Sequence, residues 1–99
     1  MFARFRHTKA KLQVSVVENC RRNGRVQQHY VASLGSLPRC PSPRDRIAFW
    51  QHINARMLAL SNRIDEVTQG KLRGEIHARV PVPSIEEERQ VELENVAAD

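Results

Sequence analysis

KLQVSVVENCRRNGRVQQHYVASL, residues 11–34, carries the strongest structural signal in the chain. Apolar residues alternate with polar ones in both of its halves, at Leu12, Val14 and Val16 and then at Val26, Tyr30, Ala32 and Leu34. A period of two is typical of β-strands. Asn23-Gly24, between the halves, is the strongest short-range signal for a tight turn. The stretch therefore predicts an antiparallel β-hairpin over residues 11–34.

The length of the turn determines which residues of the hairpin face each other. A two-residue loop places Tyr30 opposite Val17 and puts the apolar residues of the two strands on opposite faces. A three-residue loop, closed by Gly24 in a G1 bulge, puts four pairs on one face: Cys20–Val26, Val16–Tyr30, Val14–Ala32 and Leu12–Leu34. Because burial favours a single apolar face, we expect the three-residue loop, with Cys20 as a small buried residue.

A further strand is expected before the hairpin, because Phe2 to Arg6 alternates apolar and basic residues. An isolated hairpin is marginally stable in water, so a third strand, a packed helix or both are needed. After the hairpin, residues 35–41 contain glycine and prolines and predict a connector. Ser42 and Pro43 then predict a helix start, with Ser42 as N-cap and Asp45 in the first turn.

One long helix is predicted from Pro43 to about Gln69, ending at Gly70. Its apolar residues follow a spacing of three and four and form one stripe: Trp50, Ile53, Met57, Leu60, Ile64 and Val67. Such a stripe is either a core face packed on the sheet or the seam of a dimer, and both interpretations stay open for its second half.

The C-terminal third of the chain gives weaker signals. Residues 71–83 alternate in part but contain Pro81 and Pro83, which predicts an edge strand or an extended linker. Ser84 and Glu87 form a capping-box pattern, so an acidic helix is expected to about Val96. The predicted fold class is therefore α+β: a small antiparallel sheet of two or three strands packed on one long α-helix. Residues 1–83 form a single domain, and residues 84–99 an acidic helix or tail.

The charge is distributed unevenly along the chain. Residues 1–50 contain ten Lys/Arg and two acids, a net charge of +8, whereas residues 51–99 have a net charge of −3. This asymmetry indicates a nucleic-acid surface, a contact between the two halves, or both. No apolar run approaches the ~18 residues of a membrane span. The basic start lacks the apolar segment of a signal peptide, so a cytoplasmic location is expected.

No cofactor or metal site is predicted. Cys20, Cys40 and the four histidines lack the spacing of zinc ligands, and two cysteines do not make a disulfide framework. No acid–base or nucleophile constellation and no phosphate-binding glycine loop appears, so the sequence indicates neither an enzyme nor a small-molecule substrate.

Several residues between Val16 and Gly35 form a recognisable pattern. They are Val-Val-Glu-Asn at 16–19, Arg21, Gly24-Arg25-Val26, Gln28, Val31 and Leu34-Gly35. The pattern resembles the N-terminal segment of bacterial insertion-sequence transposases of the DDE class, and related small bacterial proteins of unknown function. Those transposases often begin with a short Phe/Arg-rich strand, as this chain does. Their catalytic acids lie in an RNase-H-like domain that 99 residues cannot supply, so the resemblance implies only a DNA-associated front end.

The sequence therefore predicts a small, non-enzymatic DNA-binding module that uses a basic β-ribbon. The expected phosphate contacts are Arg4, Arg6, Lys9, Lys11, Arg21, Arg22 and Arg25. Base contacts are expected from Gln27 and His29, with Gln13 and Asn19 as further candidates. The alternative is a protein-interaction or homodimerisation module that uses the apolar stripe of the long helix. Steep salt dependence of DNA binding distinguishes the two functions.

Overall fold

Three antiparallel strands, in the spatial order β1-β2-β3, form one sheet, and three helices follow them in the chain. The computed structural model describes the backbone of residues 1–98 and the side chains of residues 1–95. The elements are β1 (Phe2–His7), β2 (Lys11–Arg22), β3 (Arg25–Pro38), α1 (Pro43–Ala59), α2 (Glu66–Arg79) and α3 (Ile85–Ala98). The α+β class and the third strand are confirmed. Asp99, the end of the predicted acidic segment, lies outside the described residues.

The hairpin turn has two residues, so the predicted three-residue loop is wrong. Asn23 and Gly24 both have positive φ, 51° and 74°, as a type I′ turn requires. Arg22 therefore pairs with Arg25, and Val17 pairs with Tyr30. The expected pairing of Tyr30 with Val16 does not occur.

Two irregularities in β3 bring the apolar residues of the hairpin to one face. The register shifts by one residue between Val17 and Val16 on β2, and again between Ser15 and Val14. The extra residues on β3 are Val31 and Leu34. Each behaves as a β-bulge, in which two residues of one strand oppose one residue of the other. Leu12 consequently pairs with Leu37 instead of Leu34. The two bulges in β3, and not a three-residue turn, therefore bring the apolar residues of both strands to one buried face.

The helices cover only one face of this sheet. α1 packs on β3 and α2 packs on β1. The core between the layers contains Val14, Val16, Ala32, Leu34, Leu37, Phe49, Trp50, Ile53, Met57, Leu60, Ile64, Leu72, Ile76 and Val80. Gly35 allows α1 to lie close to β3, because a Cβ at this position would stand 3.0 Å from Cδ2 of His52.

The predicted long helix is wrong, because the chain turns between Ala59 and Glu66. α1 ends with Leu60 as its C-cap, and Asp65 is the N-cap of α2. The carboxylate of Asp65 accepts a hydrogen bond of 2.7 Å from the backbone N–H of Thr68. Hydrogen bonds from the Thr68 side chain and backbone lower the pKa of Asp65. Gly70, the predicted helix end, lies inside α2.

The buried side chain of Gln69 stabilises this turn. Its amide donates hydrogen bonds to the carbonyl oxygens of Met57, at 3.2 Å, and Ile64, at 2.9 Å. These bonds join the last turn of α1 and the connection after it to α2, because Met57 lies in α1 and Ile64 directly precedes the N-cap of α2. The edge strand or linker predicted for residues 71–83 is wrong for residues 71–79, which belong to α2, whereas residues 81–83 do form a linker to α3.

Both predicted helix caps are confirmed. Ser42 and Asp45 form a reciprocal capping box at the start of α1. Ser84 and Glu87 exchange the same two hydrogen bonds before α3. The acidic segment is therefore a helix, and it docks on α1, where Val91 is buried.

Ion pairs also hold α3 against α1. Arg46 forms an ion pair with Glu87 and donates to the carbonyl oxygen of Pro81 at 3.0 Å, and Arg44 lies 3.7 Å from Glu94. Across the described residues, no helix combines the length and the apolar character that a membrane span requires.

Candidate nucleic-acid interface

The face of the sheet opposite the helices is mostly polar and exposed, apart from one row that contains Phe2, the buried Val17 and Tyr30. The sheet pairings place Arg4, Ser15 and Ser33 in one row, and Arg6, Gln13 and Ser36 in the next. Side chains alternate between the two faces of a strand, so these rows lie on the side opposite Val14 and Val16 of the core. Alternation along β2 places Lys11 on the same open face.

A concavity of about 650 Å³ lies over these rows. Arg4 and Arg6 line it from β1, while Tyr30, Ser33 and Ser36 line it from β3, with His52 of α1 at the side. Gln13 and Ser15 of β2 lie between them. Both bulged residues of β3 lie beside this lining, and bulges bend and twist the strand that contains them.

The chemistry of the concavity favours an anion. Two guanidinium groups, one amide and several hydroxyl groups all supply hydrogen-bond donors. In the described part of the chain, neither Arg4 nor Arg6 takes part in an ion pair. A phosphate group placed here would therefore displace no carboxylate.

The tip of the hairpin extends beyond the rest of the sheet as a two-stranded arm. β1 pairs only with residues 12–17 of β2, so residues 18–29 have no third strand beside them. All twelve of these residues are exposed apart from Cys20, which is half-buried. Cys20 is therefore not the buried core residue that was predicted. The molecule is correspondingly elongated, with extents of 60, 31 and 20 Å along its principal axes.

The predicted DNA-contacting residues are all exposed, but they lie on two faces. The pairings put Arg22 and Arg25 directly opposite each other, in place of the expected Arg21–Arg25 pair. By alternation, the open face carries Arg4, Arg6, Lys11, Gln13, Asn19 and Arg21, while the other face of the arm carries Arg22, Arg25, Gln27 and His29. Lys9 lies in the turn between β1 and β2.

The concavity contains the predicted Arg4, Arg6 and Gln13, but its lining residues Tyr30, Ser33 and Ser36 were not predicted as site residues. Tyr30 was expected in the core, yet 67% of its surface is exposed. Its position follows from its pairing with Val17, which the two-residue turn produces and the three-residue turn does not. Ser33 and Ser36 carried no signal in the sequence, because their positions depend on the two bulges.

The predicted stripe lies mostly inside the molecule. Trp50, Ile53, Met57, Leu60 and Ile64 are buried in the core, and Val67 is 84% exposed because it lies at the start of α2. The stripe therefore does not form a continuous surface for a second subunit. Among the residues that the structure describes, no three His, Cys, Asp or Glu side chains form a group that could hold a metal ion.

Comparison with known proteins finds no matching protein family, no similar curated protein and no similar solved structure. The resemblance of residues 16–35 to transposase N-terminal segments therefore stays a prediction.

Proposed function

We propose that this protein is a non-enzymatic DNA-binding module that contacts phosphates through the basic side chains of its sheet. The observation that carries the proposal is the charge of residues 1–38, which contain seven Lys/Arg against the single acid Glu18, a net charge of +6. No ion pair involves any of these seven residues within the described part of the structure.

Apart from Glu18, the acidic residues that the structure describes lie in the helical part of the chain. Their ion pairs there are Arg44–Glu94, Arg46–Glu87 and Lys71–Glu75. Two carboxylates of α3, Glu87 and Glu94, thus pair with arginines of α1, and the basic side chains of the sheet stay available to phosphates. Release of condensed counterions from DNA would then supply most of the binding free energy and make it strongly dependent on salt.

The projecting arm has the form of a DNA-reading element. A two-stranded β-ribbon fits the major groove of B-DNA. With the arm in the groove, Gln27 and His29 on one face, or Asn19 on the other, reach base edges. Arg21, Arg22 and Arg25 at its end meet phosphates. Arg4, Arg6, Lys9 and Lys11 then contact the backbone beside the groove.

The test is duplex binding across a salt series, measured by fluorescence anisotropy. The variant R21Q/R22Q/R25Q removes three charges from the arm. Its matched control, R39Q/R63Q/R89Q, removes three exposed arginines outside the sheet and has the same net charge. We expect the arm variant to bind more weakly, with the slope of log K against log[salt] reduced by about 1 for each lost phosphate contact.

The control variant is expected to keep most of the affinity and the slope. Equal losses in the two variants would show that only net charge matters, which would contradict a role for the arm. No measurable binding by the wild-type protein at low salt would overturn the proposed function itself.

A further inference from the structure

We infer that the concave open face of the sheet binds single-stranded DNA, with Tyr30 as a stacking platform for a base and with Arg4 and Arg6 as phosphate contacts. This inference rests on the proposed DNA-binding function and adds a second mode to it. The arm reads a duplex, whereas the concave face takes an unpaired strand.

The concave shape of the open face favours single-stranded DNA over duplex DNA. A volume of about 650 Å³ is typical of sites that enclose small-molecule-sized groups. In a duplex the bases are stacked inside the helix, and an enzyme or binding protein reaches a base face only after the base leaves the stack. A concave surface cannot enter a groove as the projecting arm can. An unpaired nucleotide, with its base face and one phosphate accessible, matches the concavity.

Tyr30 provides the aromatic surface that such a ligand needs. Its side chain lines the concavity, is 67% exposed and makes no contribution to the main core. Proteins that bind single strands combine a positively charged groove with aromatic side chains on which bases stack, and this stacking tolerates any base. A single exposed tyrosine is ordinary on a protein surface. Here it lies across the buried Val17 from β1, and Arg4 and Arg6 lie in the next two rows of the sheet.

The spacing of strands and rows fits a short stretch of single strand. β1 and β3 flank β2 and lie about 10 Å apart, and Arg4 and Arg6 lie one and two rows further along the sheet than Tyr30. A base stacked on Tyr30 would lie over β2 with its phosphate toward β1. Arg4 and Arg6 are two positions apart on one strand, or about 7 Å, which lets them hold neighbouring phosphates. Gln13, Ser33 and Ser36 supply hydrogen bonds to base edges.

The experiment uses the full chain and one labelled oligonucleotide of mixed sequence in three forms: single-stranded DNA, its annealed duplex, and RNA of the same sequence. Tyr30→Leu removes the ring, and Tyr30→Phe keeps it. Since Tyr30 is exposed, both variants should retain the wild-type thermal midpoint. We expect Tyr30→Leu to weaken single-strand binding by about tenfold, within the range for the loss of one base–aromatic stack, without changing the salt slope.

Tyr30→Phe should bind as the wild type does, and R4Q/R6Q should lower the salt slope for the single strand. Duplex affinity should change little in Tyr30→Leu. If the duplex binds but the single strand does not, or if Tyr30→Leu binds the single strand normally, the inference is overturned and the proposed function stands. Tighter binding of the RNA form would overturn the assignment to DNA. Absence of binding to both DNA forms would overturn both proposals.

Discussion

The indole Nε1 of Trp50 donates a hydrogen bond of 3.0 Å to the carbonyl oxygen of Val80, and both residues are buried. Val80 is the C-cap of α2, where a helix leaves carbonyl groups without a partner. The bond therefore satisfies a buried acceptor and joins α1 to the end of α2.

Replacement of Trp50 is expected to destabilise the protein in two separable steps. Trp50→Phe keeps an aromatic ring but leaves the Val80 carbonyl unpaired, which should cost about 1–3 kcal/mol. Trp50→Ala also removes the ring from the core and should cost about 3–5 kcal/mol. Chemical denaturation measures both values. Native tryptophan fluorescence resembling that of the free amino acid would contradict the burial.

Two glycine-to-alanine substitutions should have opposite effects. Gly24 and Gly70 both have no atom within 4 Å of the position a Cβ would take, so neither substitution causes a clash. Gly24 has φ 74° in the hairpin turn, and an alanine there should cost about 1–2 kcal/mol. Gly70 lies inside α2, where alanine should stabilise by about 0.4–1 kcal/mol.

Thermal unfolding measures the stability of the Gly24→Ala and Gly70→Ala variants. Hydrogen exchange of the arm amides is measured as well, because the arm can open locally without global unfolding. A Gly24→Ala variant whose arm exchanges as slowly as that of the wild type would argue against the type I′ turn.

Gln69→Glu tests the turn between α1 and α2. A carboxylate at this buried position cannot donate to the carbonyl oxygens of Met57 and Ile64. The negative ends of these two carbonyl dipoles would also repel its charge. An unpaired neutral group costs about 1–3 kcal/mol of unfolding free energy, and we expect this substitution to cost more at neutral pH because the unpaired group is charged. Protonation of the glutamate restores one donor, so the loss should shrink as the pH falls. A pH-independent loss would show that the amide does not act as a donor.

The stability of the α2 N-terminus should depend on pH through Asp65. Its pKa is lowered in the folded state by the hydrogen bonds from Thr68. The stabilisation is therefore present above the ordinary value of 3.8 and is lost as the pH falls through the folded-state pKa. Asp65→Asn keeps a capping oxygen but does not titrate.

The difference in unfolding free energy between wild type and Asp65→Asn should be constant near neutral pH and change only below about pH 4. Denaturation at a series of pH values measures it. A difference that stays constant down to the most acidic value would contradict the Asp65–Thr68 cap.

Local signals in the sequence determined most of the secondary structure. Alternation predicted three strands, Asn23-Gly24 predicted the turn position, and the patterns at Ser42 and Ser84 predicted two helix starts. Each of these signals acts over a few residues, and the physical cause is confined to the same few residues. The exposed basic residues of the candidate interface were predictable for the same reason, because isolated charges remain in water.

The helix break could not be read from spacing. The intervals between Leu60, Ile64 and Val67 continue the helical period through the turn, so the apolar pattern shows no interruption. The break is stabilised by Asp65 as a cap and by the amide of Gln69, which donates to the carbonyl oxygens of Met57 and Ile64, and none of these polar contacts alters the apolar spacing.

The tertiary structure alone decided the register and, with it, the concave face. The sequence determined that the hairpin must bury one apolar face, but burial can be achieved by the turn or by bulges at Val31 and Leu34. The arm lies free of α1 and α2, so it adopts the two-residue turn that Asn23 and Gly24 prefer locally. The bulges then supply the change of register in the body of the sheet, where α1 and α2 pack. Tyr30 is exposed as a result, since it precedes the first bulge and keeps the register of the arm.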